Sequence, residues 1–141
     1  MSVKAERLLI RKFEFKDWQA VHEYTSDINV MKYIPEGVFT EEDTRNFVNE
    51  NIGEHTYEIG WVFNSKYFNK GYASEAAQAT LKYGFKEMKL HRIIATCQPQ
   101  NTPSYRVMEK IGMRREGYFR KCIPHGNEWW DEYYYAILEE E

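Results

Sequence analysis

The period of apolar positions changes several times along the chain, and each change predicts an element. Arg7 to Phe13 is a short apolar run ending in charge and reads as a strand. Asp17 then opens a helical stretch in which Trp18, Val21, His22 and Tyr24 return at helical spacing. Pro35 and Gly37 break the chain, and Thr40-Glu41-Glu42-Asp43 starts a second helix, with a hydroxyl N-cap and an acidic first turn, that ends near Asn51. Tyr57 to Phe63 alternates, with Tyr57, Ile59, Trp61 and Phe63 on one face and Glu58 and Gly60 on the other. It is the firmest strand in the sequence. After a polar loop containing Gly71, residues Ala73 to Met88 repeat Ala76, Ala77, Thr80, Leu81, Phe85 and Met88 as a long amphipathic helix. Arg92 to Thr96 is a compact strand, and Thr102-Pro103 supplies an N-cap and a first-turn proline for a helix reaching Ile111, stopped by Gly112. Arg115 to Cys122 and Glu132 to Leu138 read as antiparallel strands around the turn Pro124-His125-Gly126-Asn127. No repeat or linker divides residues 1 to 141, so one α/β (α+β) domain is expected, a mixed twisted sheet flanked by helices.

Composition narrows the partners. With a net charge of −3 there is no basic field to drive phosphate-backbone binding, which argues against nucleic acid. Met1 to Glu6 has no apolar signal core, and no stretch of ~18 apolar residues could cross a bilayer. A cytoplasmic protein without a membrane partner is expected. Cys97 and Cys122 have no CxxC spacing and His22, His55, His91 and His125 no ligand pattern, so a reduced chain with no metal is expected. The cluster Trp129, Trp130, Tyr133, Tyr134 and Tyr135 reads first as a buried aromatic strand.

The candidate chemistry centres on Tyr67-Phe68-Asn69-Lys70-Gly71-Tyr72-Ala73-Ser74-Glu75-Ala76, between a strand and a helix. A helix start offers unpaired N–H groups and the positive end of a dipole, and a glycine lets an anion approach the backbone. The spacing fits neither G-x-x-x-x-G-K-[ST] nor G-x-G-x-x-G, which argues against nucleotide triphosphates and dinucleotides.

Phe68 to Ala73 is similar to the Q/R-x-x-G-x-G/A pyrophosphate loop of the GNAT acetyltransferases, although Phe68 stands where Gln or Arg is usual. Asn101 to Met113 resembles their N-x-x-S/A helix ending in Gly and an apolar residue, Arg7 to Arg11 their opening strand, and Gly126 to Asp131 the closing hairpin of the RimJ/RimL branch. The resemblance implies an acyl-CoA N-acyltransferase fold and an N-acetyltransferase activity. It implies that backbone N–H groups of Lys70, Gly71, Tyr72, Ala73 and Ser74 hold the pyrophosphate of acetyl-CoA, with charge from Lys70. Asn101 would hydrogen-bond the pantetheine arm, lying between the strand at Trp61 and the strand at Ile94.

Acetyl transfer to an amine asks for a neutral nitrogen, a polarised carbonyl and a protonated leaving thiolate. Glu58 is the candidate base, directly or through a water; a carboxylate that only orients substrate is the competing reading. A backbone N–H near Val62 or Phe63 would polarise the carbonyl. The acid that many members place seven residues after the helix-opening Asn is here Met108, which makes Ser104 the replacement candidate and Tyr105 the next. Asp131 and His55 are further substrate-side candidates, each more readily structural. The acceptor is a protein N-terminal amine or a small-molecule amine, and a homodimer is left open. The other class of function is a non-catalytic acyl-CoA sensor.

Family members place two antiparallel strands before the Glu58 strand, and a tight hairpin of that kind needs roughly 12–16 residues. Only Ile52, Gly53 and Glu54 separate Asn51 from His55. The hairpin is therefore expected to be absent, through a segment missing near Ile52 to Glu54. Its loss should leave the edge of the opening strand and the aromatic side of the Glu58 strand open to another chain.

Overall fold

The computed structural model describes residues 2–50 and 58–141. Asn51, the 52–54 segment, His55 and Tyr57 lie outside the described residues. The opening run forms strand β2, Leu9–Arg11, paired antiparallel with β1, Ser2–Lys4, so that Val3 faces Ile10. This covers one edge of the opening strand, which sequence reading had left open. A three-residue strand with one apolar side chain offers no period to count.

Three helices follow: α1 Trp18–Thr25, α2 Ile28–Met31 and α3 Glu41–Glu50. A 3-10 turn leads into α1, and the Asp17 carboxylate takes the Glu14 N–H at 2.8 Å and two Arg11 N–H groups at 2.7 and 2.9 Å. These donors hold the Asp17 carboxyl at about 2. Thr40 caps α3 as expected, in a reciprocal box with Asp43. The apolar faces of this layer bury Val21, Met31 and Val48, with the Thr25 and Thr44 hydroxyls bonded at 2.9 Å among them.

The second half is α4 Tyr72–Lys86, β3 Arg92–Cys97, α5 Thr102–Lys110, β4 Arg114–His125 and β5 Glu128–Leu138. The strands order β3-β5-β4, all antiparallel, so the last strand inserts between the other two. One face carries the main core, built from Ile93, Ala95, Tyr135 and Ile137 of the sheet against Leu81 and Met108 of the helices. Gly84 lets α4 sit close to β3, since a Cβ there would stand 2.7 Å from Ile93 Cδ1. The Tyr135 hydroxyl donates to Glu109 at 3.0 Å, tying α5 to the sheet.

Four expectations change. The Tyr57 to Phe63 strand reduces to one parallel bridge between Glu58 and Ile94, where the Ile59 N–H donates to the Ile94 carbonyl at 2.9 Å. Its alternation survives, with Ile59 buried, Trp61 packed on the core and Glu58 and Gly60 exposed. A ladder needs a partner along its whole length, and past Ile59 none is present among the described residues. Second, α5 is capped by Asn101 rather than Thr102, and Pro103 sits one position further in than the sequence suggested. Third, Pro124 and His125 belong to β4, opposite Trp129 and Glu128, and the turn tightens to Gly126-Asn127 with Gly126 at φ 57°. Fourth, the aromatic strand is buried at only one end, with Tyr135 1% exposed and Trp129 59%.

Candidate active site

Two breaks in regular structure carry the candidate site. The first is the turn into α4. Asn64 starts it by accepting the Lys66 N–H at 3.0 Å, Asn69 and Gly71 take φ of 59° and 79°, and Gly71 becomes the N-cap. The first intrahelical bond runs from the Glu75 N–H to the Gly71 carbonyl at 3.1 Å, which leaves the N–H groups of the preceding turn without helical partners. A left-handed conformation is costly for any residue with a Cβ, so glycine suits this position. A Cβ at Gly71 would meet Arg7 Nη2 at 3.4 Å and nothing nearer, so a ligand has access to the backbone. An open cleft of about 260 Å³ lies beside it, lined by Arg7, Gly71, Ser74 and Lys110 among others. Lys70 is exposed, its ammonium 5.7 Å from the Tyr67 ring.

The second break is the divergence after Ile59. Val62 and Phe63, half-buried, follow it outside any ladder. Glu58 stays at its mouth, exposed, accepting the Thr96 hydroxyl at 3.0 Å. Successive strand residues point to opposite faces, so Glu58 and Thr96 share the face away from the main core while Cys97 turns into it.

On the core side stand the residues of α5. The Asn101 side-chain oxygen accepts the Ser104 N–H at 3.3 Å and caps the helix. Ser104 stands beside Cys97, whose thiol burial pushes up to about 11 against the opposing effect of the Ser104 hydroxyl. Tyr105 packs edge-on against Tyr133 with centroids 5.8 Å apart. Met108, 1% exposed, is a packing position, and burying a side chain of its kind contributes about 1.5–3 kcal/mol.

The structure gathers Asn101, Ser104 and Cys97 toward the core face of β3 and Glu58 and Thr96 on its other face. It does not bring Asp131 to them: its carboxylate takes the Tyr118 hydroxyl and the Lys121 N–H, the latter at 2.8 Å, inside an irregular stretch of the hairpin. Two residues had no signal in the sequence as site neighbours. Arg7 reaches the turn from 68 positions before Glu75. His125 stacks on Trp130 and its Nδ1–H donates to the Pro35 carbonyl at 2.7 Å, pinning the hairpin tip to the loop before α3. Among the described residues no group of three or more His, Cys, Asp or Glu is placed to hold a metal, and no helix is long and apolar enough to cross a membrane.

A family model described as the acetyltransferase (GNAT) domain matches residues 48–114. YnaD of Bacillus subtilis, named an uncharacterized N-acetyltransferase, is 69% identical in an alignment of 168 positions that covers 100% of this chain and 99% of YnaD. That alignment is 27 positions longer than the 141 residues of the chain, so interior positions of YnaD have no counterpart here. A crystal structure of a GNAT-family acetyltransferase from Bacillus anthracis superposes with a TM-score of 0.96 at 78% identity, covering 100% of both chains. RimL, a ribosomal-protein α-N-acetyltransferase solved in complex with coenzyme A, superposes with a TM-score of 0.83 at 16% identity over 98% of each chain, a likeness of fold.

Proposed function

Because the chain belongs to the GNAT family and is an acetyltransferase, we propose that it transfers the acetyl group of acetyl-CoA to a primary amine by direct attack in a ternary complex, as one domain spanning residues 1–141. The observation that carries this reading is the left-handed Gly71 turn opening a fifteen-residue helix, taken together with the divergence after Ile59. Acetyl-CoA supplies an activated acetyl group as its thioester. The N–H groups of Lys70, Gly71, Tyr72, Ala73 and Ser74 bind its pyrophosphate at the positive helix end. Its pantetheine arm runs between Trp61 and Ile94 past Asn101, whose side-chain NH2 is left to donate while its oxygen caps α5. An N–H of Val62 or Phe63 polarises the carbonyl. Glu58 accepts the proton lost by the attacking amine, through a water where the amine does not reach it, and the Ser104 hydroxyl donates to the departing thiolate. Tyr105, turned onto Tyr133, is the weaker donor.

The acceptor is a protein N-terminal amine, as for RimL, or a small-molecule amine. An α-amine of pKa ~7.7–8.0 is roughly a tenth neutral at pH 7, and a lysine of ~10.4 is neutral in fewer than ~1 in 1,000 molecules, so α-amines ask less of an exposed Glu58. A free-thiol assay with acetyl-CoA and a panel of amines, including Ser-Ala-rich peptides, should show amine-dependent release of CoA. Replacing Gly71 with Val should weaken CoA binding at least about tenfold, about 1.4 kcal/mol by calorimetry. Unchanged affinity would sink the assignment of the cofactor to this turn.

A further inference from the structure

We propose that Arg7 is a positioning residue for the cofactor's diphosphate, neutralising the Glu75 carboxylate and orienting the Lys70-Gly71 peptide. The inference rests on the acetyl-CoA reading above. Glu75 lies in the first turn of α4, and a carboxylate there is attracted to the same positive end that a phosphate would use. Left alone, it would oppose the anion. Both its oxygens are instead turned to Arg7: Oε1 takes the Arg7 backbone N–H at 2.5 Å and Oε2 takes Nε–H at 2.6 Å. Arg7 also donates through Nη1 to the Lys70 carbonyl at 3.2 Å. In a trans peptide the carbonyl and the following N–H point in opposite directions, so fixing the Lys70 oxygen on Arg7 turns the Gly71 N–H away from it. The guanidinium also lies 4.7 Å over the Tyr72 ring, which holds it against the first helical residue. One side chain thus touches Lys70, Tyr72 and Glu75 around the glycine. The pair cancels in charge, so the cleft sets the helix end and Lys110 against the one remaining carboxylate, that of Glu6.

Substitution of Arg7 by Gln should raise both the Kd and the KM for acetyl-CoA about tenfold, the scale of one charge-assisted hydrogen bond, with kcat within about twofold. S-acetylpantetheine, which lacks the diphosphate, should show an unchanged KM with the same variant. Adding Glu75→Gln removes the stranded carboxylate and should bring the acetyl-CoA Kd back to within about threefold of wild type. A normal Kd for Arg7→Gln, an equal loss with S-acetylpantetheine, or no recovery in the double variant overturns the proposal. If Arg7→Gln does not fold, Arg7→Lys, which keeps the charge but loses the fork to the Lys70 carbonyl, should raise the acetyl-CoA KM about threefold or more with the S-acetylpantetheine KM unchanged, and an equal change with both substrates overturns the proposal. Wild-type protein that binds no CoA would instead overturn the cofactor reading itself.

Discussion

Glu58, Ser104 and Asn101 illustrate what a single residue discloses and what it withholds. Asn101 and Ser104 are candidates because their spacing resembles a family motif, and Glu58 because it opposes the apolar face of its strand; the partners of each come only with the fold. Glu58 turned out to lie beside the Thr96 hydroxyl, and Ser104 beside a buried thiol at about 11 that stays protonated at neutral pH. Replacing Glu58 with Gln should lower turnover about tenfold to a hundredfold while leaving CoA affinity near normal. That loss should shrink as pH rises and the amine deprotonates itself; a loss of constant size across pH would assign Glu58 to orientation. Ser104→Ala should cost less turnover at near-normal CoA affinity, and no change at all would leave Tyr105 or water as the donor. Arg7 was illegible for a different reason: an arginine at a strand end and a glutamate in a distant helix have no local pattern, and only the packing of the opening hairpin beside α4 joins them.

At the scale of elements, the readings that held depended on neighbours close in sequence. Thr40 and Asp43 cap α3 from three residues apart, and the amphipathic period of α4 is set by its own turns. The readings that changed depended on distant partners or on very few residues, as in the single Glu58 bridge, the three residues of β1 and the four of α2. The turn into α1 offers a test. Asp17, at about 2 against its ordinary 3.8, is ionised with Arg11 and the Glu14 N–H in place, so its contribution to stability is complete at neutral pH. Because the folded value is depressed, that contribution fades as pH falls from about 4 through about 2. Thermal melts of Asp17→Asn should therefore lie below wild type at pH 7 by a margin that closes across this window. A margin that stays constant down to pH 2 would mean that the pair does not stabilise the turn through its charge.

The whole molecule has the GNAT fold with less chain than its relative YnaD, and the 27 unmatched alignment positions are enough for the two strands and turn expected before Glu58. The shortness of the segment before Glu58 is legible by counting residues, whereas the small separate core under α1 to α3 is not, since it depends on which helix faces meet. Val21, Met31 and Val48 make a modest apolar centre, and the larger cluster between the sheet and α4 and α5 does not include them. Two centres of unequal size imply two cooperative units of unequal opening free energy. Amide hydrogen exchange should then release α1 and α3 before β3 and β5, and added CoA should slow the amides of α4 while leaving those of α1 nearly unchanged. One common exchange rate across both halves would refute this. In a scanning calorimeter the same inequality would make the heat absorbed exceed the van't Hoff value, the signature of a chain that melts in two steps.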